Sequence, residues 1–260
     1  MKVAFVKMHG VGNDFVMVDD RAGTFPTDDP AFIARLANRP DGIGCEGVIL
    51  VRTSETADFA MRFFNPDGSE ADLCGNGARC VAAFAHAIGA APSAQMRFET
   101  RAGLVAANVL DDGRVRVALP DPKDLRENFV NSGVPHAIVP VEDLAGTDVD
   151  GEGRRIRWSQ AFQPAGTNVD FVRWTGPSSL DIRTYERGVE AESFACGTGA
   201  VAAAVVGVAQ YGLSFPVSVR TARGCTLVID GVRDGAHFRR ITLTGPVATL
   251  FRGEIDVPTS

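Results

Sequence analysis

Cys74-Gly75-Asn76-Gly77-Ala78 and Cys196-Gly197-Thr198-Gly199-Ala200 are two versions of one short pattern, set in the two halves of a 260-residue chain. Each leads into a helix-forming run and then into a second pair of related stretches. Phe98-Glu99-Thr100-Arg101-Ala102-Gly103-Leu104 in the first half resembles Val219-Arg220-Thr221-Ala222-Arg223-Gly224-Cys225 in the second. Two paired features in the same order, at nearly the same spacing, indicate a duplicated chain and therefore two similar domains.

Outward from the first copy, apolar alternation predicts strands over residues 3–8, 15–19 and 48–51 and through Phe59, Met61 and Phe63. One short helix opens at Asp29-Pro30, a cap followed by a first-turn proline, and runs to about Asn38. A helix over 77–88 and strands over 96–100, 104–109 and 114–118 follow, before Pro120-Asp121-Pro122 punctuates the chain. The second half repeats the order, with strands at 136–139, 169–174 and 182–185, a helix at 199–211 and strands at 217–221 and 226–229. Val201, Ala202, Ala203, Ala204, Val205, Val206 and Val208 make that helix apolar on every side, so it must be buried all round. Strands outnumber helices in each half. The expected class is α+β, two pseudo-symmetric domains, each a strand-rich, barrel-like shell around a central helix.

The totals narrow the function. A hydrophobic fraction of 45% supplies a sizeable core, and a net charge of −6 without a basic run argues against nucleic acid and against membrane surfaces as partners. The first ten residues are too short and too interrupted for a signal-peptide core, and the apolar run 200–209 is about half a membrane span. Five cysteines without framework spacing fit a reducing compartment, so the expected location is the cytoplasm. Lysine occurs only at Lys2, Lys7 and Lys123, in an N-terminal strand and a Pro-Asp linker, which disfavours a Schiff-base cofactor.

The repeated pattern carries the chemistry. In each copy a cysteine precedes glycine, a residue with capping chemistry (Asn76 or Thr198), a second glycine and a helix. Unpaired N–H groups and the positive end of the helix dipole favour thiolate there and form an anion site. If the two domains face one ligand, two thiols reach it from opposite sides. That suits stereoinversion at an amino-acid α-carbon, where one group removes the proton, another returns it on the other face, and the helix N–H groups stabilise the charge that builds on the carboxylate. The pair should titrate as a coupled unit. A lone cysteine before such a helix is ordinarily a packing residue, and Cys45, Cys80 and Cys225 keep that reading.

Several motifs extend the pattern: Lys7-Met8-His9-Gly10-Val11-Gly12-Asn13-Asp14-Phe15, Phe64-Asn65-Pro66-Asp67-Gly68-Ser69-Glu70, Cys74 to Cys80, and Glu186-Arg187-Gly188-Val189 before Ala195-Cys196-Gly197-Thr198-Gly199. In these the chain resembles the diaminopimelate epimerase family over nearly its whole length. The resemblance implies that Cys74 and Cys196 are the catalytic thiols and that N–H groups of Gly75, Asn76, Gly197 and Thr198 hold the reacting carboxylate. It assigns Asn13, Asn65, Asn168, Glu186 and Arg187 to the rest of the substrate, and His136 and Glu186 to an accessory pair beside the thiols. His136 read alone is a structural histidine, as are His9, His86 and His237. The resemblance further implies no metal or organic cofactor, a homodimer, and a last strand that returns to the first domain. The domains are then 1–118, completed by 247–260, and 119–246.

Two departures fall where substrate is held. The family's Gly-Ile-Gly-x-Asp-Gln is here Gly42-Ile43-Gly44-Cys45-Glu46-Gly47, without the glutamine, and its Gly-Asn-Pro-His is Gly133-Val134-Pro135-His136. The stretch from Glu186 to Cys196 is also one residue longer than the common form. A racemase of another amino acid is therefore the alternative within the enzyme class, and a non-catalytic binding protein the alternative outside it. A phosphatase loop places arginine six residues after its cysteine, whereas Arg79 follows Cys74 by five and the second copy has Val201 and Ala202 there. Dinucleotide and metal sites lack their third glycine and their ligand spacing.

Overall fold

Strand pairing in the first unit begins with β1 (Lys2–Gly10) and β2 (Asn13–Asp19), an antiparallel hairpin closed across Val11 and Gly12, both at positive φ. Helix α1 (Pro30–Ala37) then crosses over to β3 (Val48–Arg52), parallel to β2. Asp29 caps α1 by accepting from Phe32 N at 2.9 Å, and Pro30 occupies the first turn, as the Asp-Pro pair predicts. β4 (Phe59–Phe64) runs antiparallel to β3, and β5 (Glu70–Ala71) folds back on β4. Helix α2 (Gly75–Ala87) leads to β6 (Gln95–Thr100), parallel to β4, and to an antiparallel meander of β7 (Gly103–Val109) and β8 (Val115–Ala118).

The second unit repeats this plan step by step. β9 (Lys123–Arg126) pairs with β10 (Phe129–Asn131), which pairs with β11 (Pro135–Pro140). Helix α3 (Val149–Arg157) and a short 3-10 turn (Gln160–Phe162) cross over to β12 (Asn168–Gly176), parallel to β11 as β3 is to β2. β13 (Ser179–Glu186) and β14 (Ala191–Ser193) follow, then α4 (Gly197–Gln210), and β15 (Val217–Arg220) lies parallel to β13 as β6 does to β4. β16 (Thr226–Asp234) and β17 (His237–Gly245) complete its meander. The last strand, β18 (Ala248–Asp256), pairs antiparallel with β1, Lys2 opposite Asp256, and so takes against β1 the place that β9 takes against β10.

These ranges come from a computed structural model that describes residues 2–194 and 196–256. Ala195 of the second motif and positions 257–260 of the expected closing segment lie outside the described residues. One unit runs to Val117 and resumes at Pro246, and the other spans Ala118–Gly245. Among the described residues no helix is long and apolar enough to cross a membrane.

In each unit one central helix contacts most of the strands. Helix α2 contacts β1, β2, β3, β4 and β7, and α4 contacts β10 to β13 and β15 to β17. From Gly199 to Val208 every residue of α4 is buried, as an apolar helix without a polar face requires. Both central helices start two residues earlier than the sequence reading placed them, because Gly75 and Gly197 already adopt helical backbone. Helix α3 was missed altogether. Its sequence, Val-Asp-Gly-Glu-Gly-Arg-Arg-Ile-Arg, has two glycines, and Val149 and Ile156 are the two apolar residues on the face that packs against Phe171 and Tyr185. It forms because Asp148 accepts from Gly151 N at 2.9 Å and because acidic residues fill the first turn and arginines the last, matching the helix dipole.

Gly47, where the resembled family carries glutamine, sits in a place that no side chain fits. A Cβ there would overlap the Phe63 ring and lie 2.8 Å from the carbonyl oxygen of Phe64. The ring is itself held edge-on against Phe15, with centroids 6.1 Å apart. Departure at position 47 and bulk at position 63 are thus one packing solution. Gly47→Ala is expected to lower stability by about 1–3 kcal/mol in urea denaturation. Combined with Phe63→Leu it should cost less than the sum of the two single changes, whereas strict additivity would contradict the interlock.

Candidate active site

Both motif cysteines are helix N-caps. Cys74 precedes α2 with extended backbone (φ −128°, ψ 123°), and its carbonyl accepts the first helical bond from Ala78 N at 2.7 Å. Cys196 does the same for α4, its carbonyl accepting from Ala200 N at 3.1 Å. The sequence reading gave the capping chemistry to Asn76 and Thr198. Both instead lie inside the first turn; the cysteines hold the cap positions, and at α4 the sulfur itself caps, accepting from Gly199 N. Gly75, Asn76, Gly197 and Thr198 therefore carry first-turn N–H groups that have no partner further up the helix, as an anion site requires.

Around Cys74, which is half-buried, the β1–β2 turn delivers Asn13, whose Nδ2 lies 3.9 Å from the sulfur. Asn13 Oδ1 is buried with no hydrogen-bond partner among the described residues. Asn65 opens the turn between β4 and β5, where its N and Nδ2 donate to Ser69 O at 2.8 Å and Ser69 Oγ at 3.1 Å.

The surroundings of Cys196 follow from strand register. His136 on β11 lies opposite Asn168 on β12, and Asp170 on β12 lies opposite Thr184 on β13. The parallel and antiparallel pairings thus bring one histidine, one aspartate and one threonine together beneath the start of α4. His136 Nδ1 meets Asp170 Oδ2 at 2.7 Å, with both side chains fully buried. Asp170 Oδ1 accepts from Thr184 Oγ1 at 2.7 Å. On the far side of the ring, His136 Nε2 meets Thr198 Oγ1 at 3.0 Å, and Thr198 Oγ1 lies 3.4 Å from Cys196 Sγ. The result is a continuous hydrogen-bonded line from Asp170 through His136 and Thr198 to the thiol. Glycine at 199 permits it, since a Cβ there would lie 2.5 Å from Asp170 Oδ1. Gly199 N also donates to Cys196 Sγ at 3.4 Å.

Asn168 uses both ends of its amide within the unit. Its Oδ1 accepts from Arg187 N at 2.7 Å and its Nδ2 donates to Pro135 O at 3.2 Å, with the His136 ring 3.3 Å away. It fastens the segment bearing Arg187 to β11. Arg187 Nη1 donates to Ala165 O at 3.1 Å. Glu186 ends β13 and acts on Cys196 through its charge. Val134, the second departure, contributes only its carbonyl, accepting from Ser132 N at 3.2 Å. Asp170 was not singled out from the sequence. Its signal was a lone carboxylate within the apolar run Val169 to Val172.

Electrostatics at Cys196 oppose the simple helix-dipole expectation. Burial pushes its thiol well above the ordinary value of 9.0, and the carboxylates of Glu186 and Asp170 push it the same way, outweighing the hydrogen bonds from Thr198 and Gly199. Cys196 is therefore a thiol at neutral pH. Cys45 and Cys80 are buried, and burial raises both, Cys80 to about 12. They are packing residues, as expected. Among the described residues no group of three or more His, Cys, Asp or Glu side chains is placed to hold a metal ion.

The family described as diaminopimelate epimerase matches residues 5–123 and 128–250 of this chain. The diaminopimelate epimerase of Aquifex aeolicus is 40% identical over 97% of each chain. That of Chlorobaculum tepidum is 41% identical over 96% of this chain and 100% of its own. Among solved structures, a phenazine biosynthesis protein of the PhzF family from Bacillus anthracis superposes with a TM-score of 0.76 at 16% identity, covering 99% of this chain and 100% of that one. A hydroxyproline epimerase from Agrobacterium vitis gives 0.67 at 18% identity, over 98% of this chain and 92% of that one. At such identities these two show a shared fold.

The raised Cys196 thiol has a consequence for stability. Because folding favours its protonated form, the contribution is fully present below the ordinary thiol value of 9.0 and is lost as pH rises above it. Cys196→Ser is expected to lose less stability than the wild type between about pH 8 and pH 10 in parallel denaturation series. Equal losses would contradict the assignment.

Proposed function

We propose that this chain, which belongs to the diaminopimelate epimerase family, interconverts LL- and meso-diaminopimelate by a cofactor-independent exchange of one α-proton between Cys74 and Cys196. The observation that carries this reading is the placement of both thiols at the N-caps of topologically equivalent buried helices. Two-base stereoinversion needs two acid–base groups, one for each face of the α-carbon, and a duplicated N-cap cysteine supplies them.

In this scheme one sulfur, as thiolate, takes the α-proton while the other, as thiol, returns a proton to the opposite face. Negative charge building on the α-carboxylate is met by first-turn N–H groups of Gly75 and Asn76 on one helix and of Gly197 and Thr198 on the other. Those dipoles are fixed by the helices before substrate arrives, so little reorganisation is needed as the carbanion forms. Asn13 Oδ1, buried and unpaired, suits the substrate ammonium as an acceptor. Asn65, Glu186 and Arg187 serve the remainder of the substrate, an arginine being suited to its distal carboxylate. Asn168 acts by holding Arg187 and His136 in place. The line from Asp170 through His136 and Thr198 orients the Cys196 thiol and gives its proton a hydrogen-bonded route.

This activity places the protein in the supply of lysine and of a cell-wall precursor, as a cytoplasmic homodimer. A racemase of another amino acid is the second reading, favoured only by the departures at Gly47 and Val134.

Offered LL-diaminopimelate beside other amino acids, the purified protein is expected to invert LL-diaminopimelate without added metal or pyridoxal phosphate. Turnover of a different amino acid alone would establish the second reading. Cys74→Ala and Cys196→Ala should each abolish inversion, and near-normal turnover in either would rule out the two-thiol scheme. Thr198→Val, which cuts the line to His136 while keeping side-chain shape, is expected to lower kcat by about 10- to 100-fold with the fold retained. An unchanged kcat would remove the line from the mechanism.

A further inference from the structure

Each thiol follows a strand too short to hold itself. β5 has two residues and β14 three, and two residues separate each strand from its cysteine. Downstream, the helix fixes each cysteine through the bond that its carbonyl accepts. Upstream, the two copies use the same device. Glu70 stands four residues before Cys74, and Glu192 four before Cys196. Arg62 on β4 holds Glu70 with both arms, Nε donating to Oε1 at 2.8 Å and Nη2 to Oε2 at 3.0 Å. Arg183 on β13 holds Glu192 through the same atoms, at 2.8 Å and 2.7 Å.

Register makes the two pairs equivalent. Glu70 lies opposite Phe64, two residues after Arg62, and Glu192 lies opposite Tyr185, two residues after Arg183. In each hairpin the arginine and the glutamate are therefore diagonal neighbours on one face of the sheet. Both pairs are half-buried, and a forked pair fixes direction as well as distance, which the point charge of a lysine does not. A second arginine adds an outer contact two residues before each thiol. Arg101, between β6 and β7, brings Nε to 3.3 Å from Asp72 Oδ1, and Arg223, between β15 and β16, sets its guanidinium 4.3 Å from the centroid of the Phe194 ring. Asp72 and Phe194 are exposed, so these outer contacts are individually weak. The forked pairs are the firm part.

We propose that Arg62 with Glu70, and Arg183 with Glu192, are the positioning pairs of the two thiols, each fixing the approach to its own cysteine so that the sulfur stands within proton-transfer reach of the α-carbon. The proposal rests on the two-thiol reading above. Proton transfer needs sulfur and carbon aligned at contact distance, and a misplacement of about 1 Å is enough to slow such a step severely. The N–H groups that would receive the carboxylate are set by α2 and α4 themselves, not by the segments ahead of them. Loosening a pair therefore falls on the acid–base step, and on kcat rather than KM.

The test combines steady-state kinetics with hydrogen–deuterium exchange, read by mass spectrometry on the full-length protein. Arg62→Lys keeps the charge and gives up the fork. It should lower kcat for LL-diaminopimelate about 10- to 100-fold, leave KM within about twofold, and speed exchange over residues 71–74 but not over 193–196. Arg183→Lys should lower kcat alike and speed exchange over 193–196 alone. Should a lysine variant not fold, Glu70→Gln or Glu192→Gln, which keeps side-chain shape, takes its place with the same expectations. Unchanged kcat, a loss confined to KM, or exchange that stays at wild-type rates in the folded variants would overturn the proposal. An equal rise at both segments would do the same. Exchange needs no turnover, so a wild type that inverts no amino acid, with each variant still loosening only its own segment, would sink the epimerase reading and leave each pair assigned to its own cysteine.

Discussion

The first turn of a helix leaves N–H groups without partners, and in this chain both central helices begin on a cysteine where those groups gather. The rest of each unit depends on that constraint. A buried helix start must be satisfied by something; at α4 the Cys196 sulfur accepts from Gly199 N, and at both starts the proposed substrate carboxylate would take the remaining first-turn N–H groups. The strands around α2 and α4 pack against them, so that in the proposed reaction fixed dipoles, rather than mobile side chains, meet the developing carboxylate charge.

Equivalence of the two starts does not make them electrostatically equal. Register in the second unit lays Asp170 and His136 under Thr198, so that carboxylate charge reaches Cys196 through a buried line of hydrogen bonds. The first unit puts a guanidinium in the helix itself.

Much of this was legible from the residues. The repeat of Cys-Gly-x-Gly announced two units and both thiols, the unbroken apolar run after Gly199 announced a buried helix, and Asp29-Pro30 fixed the start of α1. What stayed hidden depends on contacts between distant residues or on weak local patterns. Helix α3 has only Val149 and Ile156 to bury, a period too sparse to read among its glycines and charges. β5 and β14 are two and three residues long and exist because β4 and β13 offer them an edge. Asp170 reads as an interruption in a strand until register sets it beside His136. Arg79 enters the sequence reading only through its spacing from Cys74, and packing shows it wholly buried. The departure at Gly47 looked like a lost binding group, and in the structure the Phe63 ring fills the space that a side chain there would need.

The central claim, that two distinct thiols serve opposite faces of one carbon, is tested most directly by starting the reaction from LL-diaminopimelate in deuterium oxide and analysing both isomers at low conversion. Two thiols predict that the newly formed meso isomer carries solvent deuterium at the inverted centre while the remaining LL isomer keeps its protium. Protium retained in the product, or deuterium appearing in the recovered substrate as fast as in the product, would show one group serving both faces and would contradict the account.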